Sequence, residues 1–422
     1  MSTYHRITEI TDNGPYVVKL ILPLPCQVSK ADLKGAFSVY AECRGEEDGQ
    51  LRSKKDKKSG LVKPLAGYPD VIAAYPCDQT GKPLARGSFC ALELGEDYLN
   101  KRILGDILKN EWLDNFYRVT QIKPLPGAEN SPELPTVGLV FDQVEEDLCP
   151  DLAGWETALH QDPEHPLRYA WFTPKEQKET LPLVIWLHGA GEGGQDIRIV
   201  NTGNKVTALS GREIQAKLGG AAWVLVPQCP TVWMDDGKEQ LGRSNESVYV
   251  GALMRLIDDF ITAHRSIDPS RIYVGGLSNG GFMTIRLLRD FPGFFAGAIA
   301  VCTPWFHENL TPEVLEAVKQ TPLWLIHCKT DTLVPVHDTA LPLYHALKTA
   351  GAEVHMSLFD KLVDLTGRYK DQLGRPRESF GHCVWIHAYN DDAILDLDGS
   401  RVIYGGTPVT AWEWLGKHRL ED

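Results

Sequence analysis

Apolar and polar positions are arranged differently in the first third of the chain and in the remainder. Up to about residue 150, apolar residues alternate with polar ones in short runs. Tyr16-Val17-Val18-Lys19-Leu20-Ile21-Leu22, Phe37-Ser38-Val39-Tyr40-Ala41 and Phe116-Tyr117-Arg118-Val119-Thr120-Gln121-Ile122 are examples. Runs of this kind, cut by Gly, Pro, Asp and Asn clusters, predict antiparallel strands with one buried face, hence a β-sandwich. Residues 127–135 are poor in structure-forming residues, and a linker is expected between about 130 and 165.

From about residue 167 the pattern changes to alternating strands and helices. Leu183-Val184-Ile185-Trp186-Leu187 and Ala222-Trp223-Val224-Leu225-Val226 are continuous apolar strands. Val250, Leu253, Met254, Ile257 and Ile261 recur at helical spacing, so an amphipathic helix is expected to end near His264. Further strands are expected at 271–274, 296–302, 322–328 and 353–359, and further helices from the turn at 278 through Arg289, at about 311–319 and at 339–350. Strands apolar on both faces and joined by helices predict a mostly parallel, doubly wound α/β sheet. Two domains follow, an all-β sandwich over 1–140 and an α/β domain over 141–422.

Composition narrows the choice of partners. A net charge of -13 repels phosphate backbones, so nucleic acid is not an expected partner. The basic run Arg52-Ser53-Lys54-Lys55-Asp56-Lys57-Lys58 lies among Gly, Ser and acidic residues and reads as a solvated loop. No run of about 18 apolar residues exists to cross a membrane. The nine cysteines have no metal-ligand or disulfide-framework spacing; Cys302 and Cys328 fall inside predicted strands as small apolar groups. With no secretory signal at Met1-Ser2-Thr3-Tyr4-His5-Arg6, a reducing, cytoplasmic location is expected, with secretion from a trimmed precursor left open.

Candidate chemistry centres on Gly276-Leu277-Ser278-Asn279-Gly280, between a predicted strand and a predicted helix. A serine hydroxyl needs an adjacent base to act as a nucleophile, and a sharp strand-to-helix turn lifts it clear of the sheet. That turn crowds the backbone two residues either side of the serine, where Gly276 and Gly280 stand. Ser278 is therefore the expected nucleophile. Strand 183–187 runs into His188-Gly189-Ala190-Gly191-Glu192-Gly193-Gly194, and the backbone N–H groups of Ala190 and Asn279 are the expected oxyanion donors. The glycine-rich loop lacks the spacing of a phosphate cradle. His188 is expected to be a hydrogen-bonded structural residue beneath the oxyanion site.

Acid and histidine should follow the serine in chain order. Asp331, just beyond the strand Leu323-Trp324-Leu325-Ile326-His327-Cys328, is the preferred acid; Asp360 is its rival, and Asp338 is expected to cap the next helix. His382, in Ser379-Phe380-Gly381-His382-Cys383, is the preferred base among the histidines beyond the last strand, ahead of His387 and His418.

Together these stretches resemble the α/β-hydrolase esterases, often labelled predicted peptidases, that carry an N-terminal immunoglobulin-like domain. The resemblance covers roughly 185–385. It rests on 187–192, Pro227-Gln228-Cys229-Pro230 with Trp233, 268–273, 276–281, Asp331 with Val334-Pro335, and Gly381-His382 with Trp385. It is looser at Asp32-Leu33 before Phe37 and at Asp78-Gln79-Thr80-Gly81. The resemblance implies a triad of Ser278, Asp331 and His382. One departure is the stretch 398–406, which reads as an inserted hairpin.

The expected activity is hydrolysis of small, short-chain or aryl, carboxylic esters through an acyl-enzyme, with Trp233 and Trp305 lining the substrate pocket unless they pack the core. No metal or organic cofactor is required. A serine peptidase with the same triad is the nearest alternative. A carbohydrate-binding protein with an inert hydrolase domain is the alternative from another class. For the N-terminal domain, packing or assembly, including homo-oligomer contacts, is favoured over glycan binding or overhang of the active site.

Overall fold

Seven consecutive buried residues, Leu181–Leu187, form a strand near the middle of an eight-stranded sheet, which explains why no polar residue interrupts that run. The computed structural model describes residues 2–55, 60–95, 99–105, 109–175 and 180–421. It divides into two compact units, Met1–Ala153 and Gly154–Asp422.

The second unit holds eight strands, labelled in chain order: β1 Trp155–His160, β2 Leu167–Phe172, β3 Leu181–Leu187, β4 Trp223–Gln228, β5 Ile267–Leu277, β6 Gly297–Val301, β7 Leu323–Cys328 and β8 Val354–Phe359. They lie in the order β1-β2-β4-β3-β5-β6-β7-β8. β3 to β8 pair in parallel, while β1 and β2 pair antiparallel at one edge. Helices Val250–Ala263, Asn279–Asp290, Pro312–Val318 and Ala340–Thr349 connect the parallel strands. Two large apolar clusters take alternate strand residues: Leu183, Ile185 and Leu187 belong to one, Val184 and Trp186 to the other. That is the doubly wound α/β-hydrolase arrangement that the continuous apolar strands predicted.

The edge strand β1 was not legible. Its sequence, Trp155-Glu156-Thr157-Ala158-Leu159-His160, has no buried residue, as an edge position permits. Near 398–406, the chain makes two tight turns. One is closed from Asp396 N–H to Ser400 C=O at 2.9 Å; the other joins Ile403–Tyr404 to Thr407–Pro408 through Gly405 and Gly406, at φ 56° and 79°. Asp338 does not cap the following helix: the N-cap residue is Thr339, and no side chain caps that terminus.

The first unit is built on a nine-stranded, mostly antiparallel sheet with two short two-stranded sheets beside it. Leu20, Leu22 and Leu24, Val39 and Ala41, Cys90, Leu92 and Leu94, and Tyr117 and Val119 alternate into one core. Strand Val140–Leu148 belongs to this unit, pairing parallel with Ser2–Thr11 and antiparallel with Asn110–Gln121. The unit thus runs past residue 140, where the sequence placed its end. Six of the strand's nine residues are exposed, so it carries little apolar signal. Of the basic run, Ser53–Lys55 forms a short strand against Val62–Pro64, while residues 56–59 lie outside the described residues. Among the described residues no helix is long and apolar enough to cross a membrane.

Candidate active site

β5 ends at Leu277 and the helix Asn279–Asp290 begins at the next residue but one, which leaves Ser278 alone to make the reversal. Its φ of 52° with ψ of -117° is a conformation a side chain rarely adopts, held by the elements on either side. Ser278 N–H donates to Val301 C=O of β6 at 2.8 Å. The glycines around it answer to close backbone approach. A β-carbon on Gly276 would lie 2.6 Å from the Leu187 oxygen and 2.7 Å from the Gly280 carbonyl; one on Gly281 would lie 2.9 Å from the Val301 oxygen.

Three residues far apart in sequence meet at this turn. His382 Nε2 lies 3.0 Å from Ser278 Oγ, and His382 Nδ1 lies 2.8 Å from Asp331 Oδ2. Asp331 Oδ1 accepts the N–H groups of Leu333 and Val334, both at 2.9 Å. Burial pushes the Asp331 carboxyl upward, but hydrogen bonds from His327 and His382 outweigh it and hold Asp331 well below the usual carboxylate range. It therefore stands as an anion facing an imidazole N–H. Gly381 lets the histidine loop sit against the acid loop, since a β-carbon there would lie 2.6 Å from the Thr330 carbonyl carbon. The Trp385 ring meets His382 edge-on with centroids 5.5 Å apart.

The rival residues are engaged elsewhere. Asp360 is exposed and pairs with Lys329 at 2.6 Å. His387 donates or accepts through Nδ1 at Asp392, 2.7 Å away, and its ring stacks on Phe359. His418 faces Glu353 at 3.3 Å.

The loop after β3 lies directly against the serine turn, since a β-carbon on Gly280 would fall 1.9 Å from the Leu187 oxygen. The Ala190 and Asn279 N–H groups, one on each side of that junction, have no acceptor among the described residues. Glu192 Oε2 accepts from Gly189 N–H at 2.9 Å, and Gly189 C=O accepts from Glu192 N–H at 3.1 Å, which closes the loop. Beneath it, His188 Nδ1 donates to Gly189 C=O at 2.7 Å and His188 Nε2 accepts from Cys229 N–H at 3.2 Å. Burial lowers the His188 pKa to about 4, so the ring is neutral and able to accept.

Two family models match the chain: residues 171–364 match "Phospholipase/Carboxylesterase" and residues 3–132 match "Esterase Ig-like N-terminal domain". The chain thus carries a domain of the phospholipase/carboxylesterase family behind an esterase immunoglobulin-like domain. A solved structure described as a thermostable esterase shares the fold, with a TM-score of 0.75 and 22% identity over 99% of this chain and 100% of its own. Carboxylesterase SOBER1 of Arabidopsis thaliana is 24% identical over 43% of this chain and 82% of its own length. Poly(3-hydroxyalkanoate) depolymerase C of Paucimonas lemoignei is 44% identical over 50 residues, 12% of each chain. The chain spans 33% of the length of NocK from Nocardia uniformis subsp. tsuyamanensis, at 27% identity.

For the two tryptophans the sequence left pocket lining and core packing both open. Trp233 and Trp305 are both 0% exposed. Trp233 packs on His188 and Tyr249, and Trp305 stacks on Phe282 at 5.7 Å, all in the core below the turn. Core packing, the plainer of the two readings, is what their burial supports. The link from Trp233 to the site is through its backbone N–H, which donates to Asn279 Oδ1 at 2.5 Å.

His327 is a residue that sequence reasoning passed over. It lies wholly buried in β7, four residues before Asp331. A titratable side chain within an otherwise apolar buried strand was the available signal.

Proposed function

We propose that this chain hydrolyses carboxylic esters through an acyl-enzyme on Ser278, with His382 as base and then acid and Asp331 as its orienting anion. The observation that carries the reading is the relay of 3.0 Å from Ser278 Oγ to His382 Nε2 and 2.8 Å from His382 Nδ1 to Asp331 Oδ2. With Asp331 ionised, Nδ1 holds the imidazole proton and Nε2 is free to accept the hydroxyl proton. Ser278 Oγ then bonds to the ester carbonyl carbon, and its proton passes to Nε2. The resulting oxyanion is received by the Ala190 and Asn279 N–H groups. Collapse breaks the bond to the alcohol oxygen, which leaves with the proton from Nε2. Water, deprotonated by Nε2, repeats the sequence on the acyl-enzyme and releases the acid. Every group this sequence of steps needs belongs to the chain.

Small, short-chain or aryl, esters are the proposed substrates; relatives named as carboxylesterases support the ester class. A reducing, cytoplasmic setting is part of the proposal, in keeping with nine cysteines that follow no disulfide-framework spacing. For the N-terminal unit we propose packing or assembly. Wild type and Ser278→Ala should be compared with a fluorophosphonate probe, then assayed side by side on p-nitrophenyl esters and chromogenic peptides. Labelling and ester turnover that vanish in Ser278→Ala, by about 10⁶-fold in kcat, are expected. Turnover of peptides without esters would instead support the peptidase.

A further inference from the structure

Asp331 is flanked by two imidazoles, and the esterase mechanism uses one. His327 Nε2 lies 2.9 Å from Val334 C=O and 3.4 Å from Asp331 Oδ2, the oxygen that also faces His382. Both neighbours of Nε2 are acceptors, so Nε2 must carry the proton. Val334 closes the arrangement, because its own N–H donates to Asp331 Oδ1 at 2.9 Å. The turn that presents the acid is thus tied back to β7 by one side chain. His327 and the Asp331 side chain are both wholly buried, so this N–H works where water does not screen it.

We propose that His327 is a positioning residue for the triad: its Nε2–H fixes the Asp331–Val334 turn and shares the charge on Asp331 Oδ2, setting how strongly that oxygen holds His382. The inference rests on the Ser278–His382–Asp331 reading. Besides His327 and His382, the buried thiol of Cys302 also bears on Asp331. Without the His327 N–H, Oδ2 presents more charge to His382 and favours its protonated form. The acid limb of the rate profile, where His382 gains its proton, therefore moves to higher pH, while substrate contacts are untouched.

The test compares His327→Phe, His327→Gln and His327→Asn in the full chain, using a p-nitrophenyl ester from pH 4 to 9 together with thermal melting and fluorophosphonate labelling. A glutamine amide can place an N–H near the former Nε2; asparagine is too short to reach it. His327→Phe is expected to lower kcat by about 10- to 100-fold, the worth of one hydrogen bond to a charged group. KM should stay within about twofold, and the acid limb should move to higher pH. His327→Gln should restore most of kcat and the wild-type limb; His327→Asn should not. If His327→Phe fails to fold, the Gln–Asn comparison decides alone. Variants that differ in melting temperature but share the wild-type kcat and acid limb would overturn the proposal, as would equal losses in Gln and Asn. A wild type that the probe does not label at Ser278 would overturn the triad reading, and this inference with it.

Discussion

Gly280 faces the carbonyl of Leu187 so closely that a β-carbon on it would lie 1.9 Å from the oxygen. Any side chain there must push the helix of the serine turn away from the strand that leads into the loop at 188–194. Gly280→Ala is expected to lower kcat by about 100-fold or more, because displacements of about 1 Å at a reacting centre cost that much. Near-ultraviolet circular dichroism will show whether the variant is folded. A folded Gly280→Ala enzyme with wild-type kcat would mean that the turn adapts without cost.

Trp305 is a packing residue by its burial, stacked from the segment after β6 on Phe282 of the helix that follows Ser278. Trp305→Ala should cost about 3–5 kcal/mol of stability through the cavity left behind. Urea denaturation measures that loss. The dependence of kcat/KM on acyl chain length should keep its wild-type shape. A changed chain-length profile at undiminished stability would return Trp305 to the substrate pocket.

The lowered pKa of His188 makes a prediction about acid. The folded value of about 4 lies below the ordinary 6.5, so between these limits the unfolded chain binds a proton that the folded one refuses. The contribution is complete above about pH 6.5 and is lost as pH falls toward 4, amounting to about 3 kcal/mol at most. His188→Asn should be less stable than wild type at pH 7, yet lose less stability over that window. Denaturation midpoints at pH 7, 5.5 and 4.5 measure the difference, and parallel losses in both proteins would refute the assignment.

Asp268 gives the opposite case at lower pH. Burial raises its pKa, but hydrogen bonds from Ser270, Arg271 and Arg419 outweigh that and hold it at about 2. Arg271 Nε and Arg419 Nη2 both lie 2.8 Å from Asp268 Oδ2, which ties the start of β5 to the C-terminal segment. This stability is present above the ordinary value of 3.8 and is lost as pH falls through 2. Asp268→Asn should therefore be about 2 kcal/mol less stable at pH 7 and approach wild type between pH 4 and 2. Guanidinium titrations across that range test it; a gap that stays constant would show that Asp268 contributes through shape and not charge.

The catalytic sheet was legible because its parallel strands are buried on both faces. Mostly apolar residues fit between two helical layers: the run at 183–187 states this directly, and His327 is the one polar residue in the run at 323–328. Elements that met water or an edge left weaker traces. Trp155–His160 and Val140–Leu148 pair through their backbones, and backbone hydrogen bonds make no demand on side-chain pattern. The tryptophans were left open for a related reason: a position past a strand's end does not specify whether a ring turns inward or outward.

The sequence by itself determined the strand–turn–helix at Ser278, since crowding leaves room for glycine alone on either side, and it supplied a short list of acids and bases in chain order. Which acid and which imidazole reach that hydroxyl was decided by tertiary structure. Asp331 and Asp360 each follow a strand, yet one lies buried among N–H donors and the other pairs with Lys329 in solvent. Hydrogen bonding acts over about 3 Å, whereas Ser278 and His382 are 104 residues apart. A contact of that range is fixed by how loops from neighbouring strands are packed together, and sequence spacing carries no record of it.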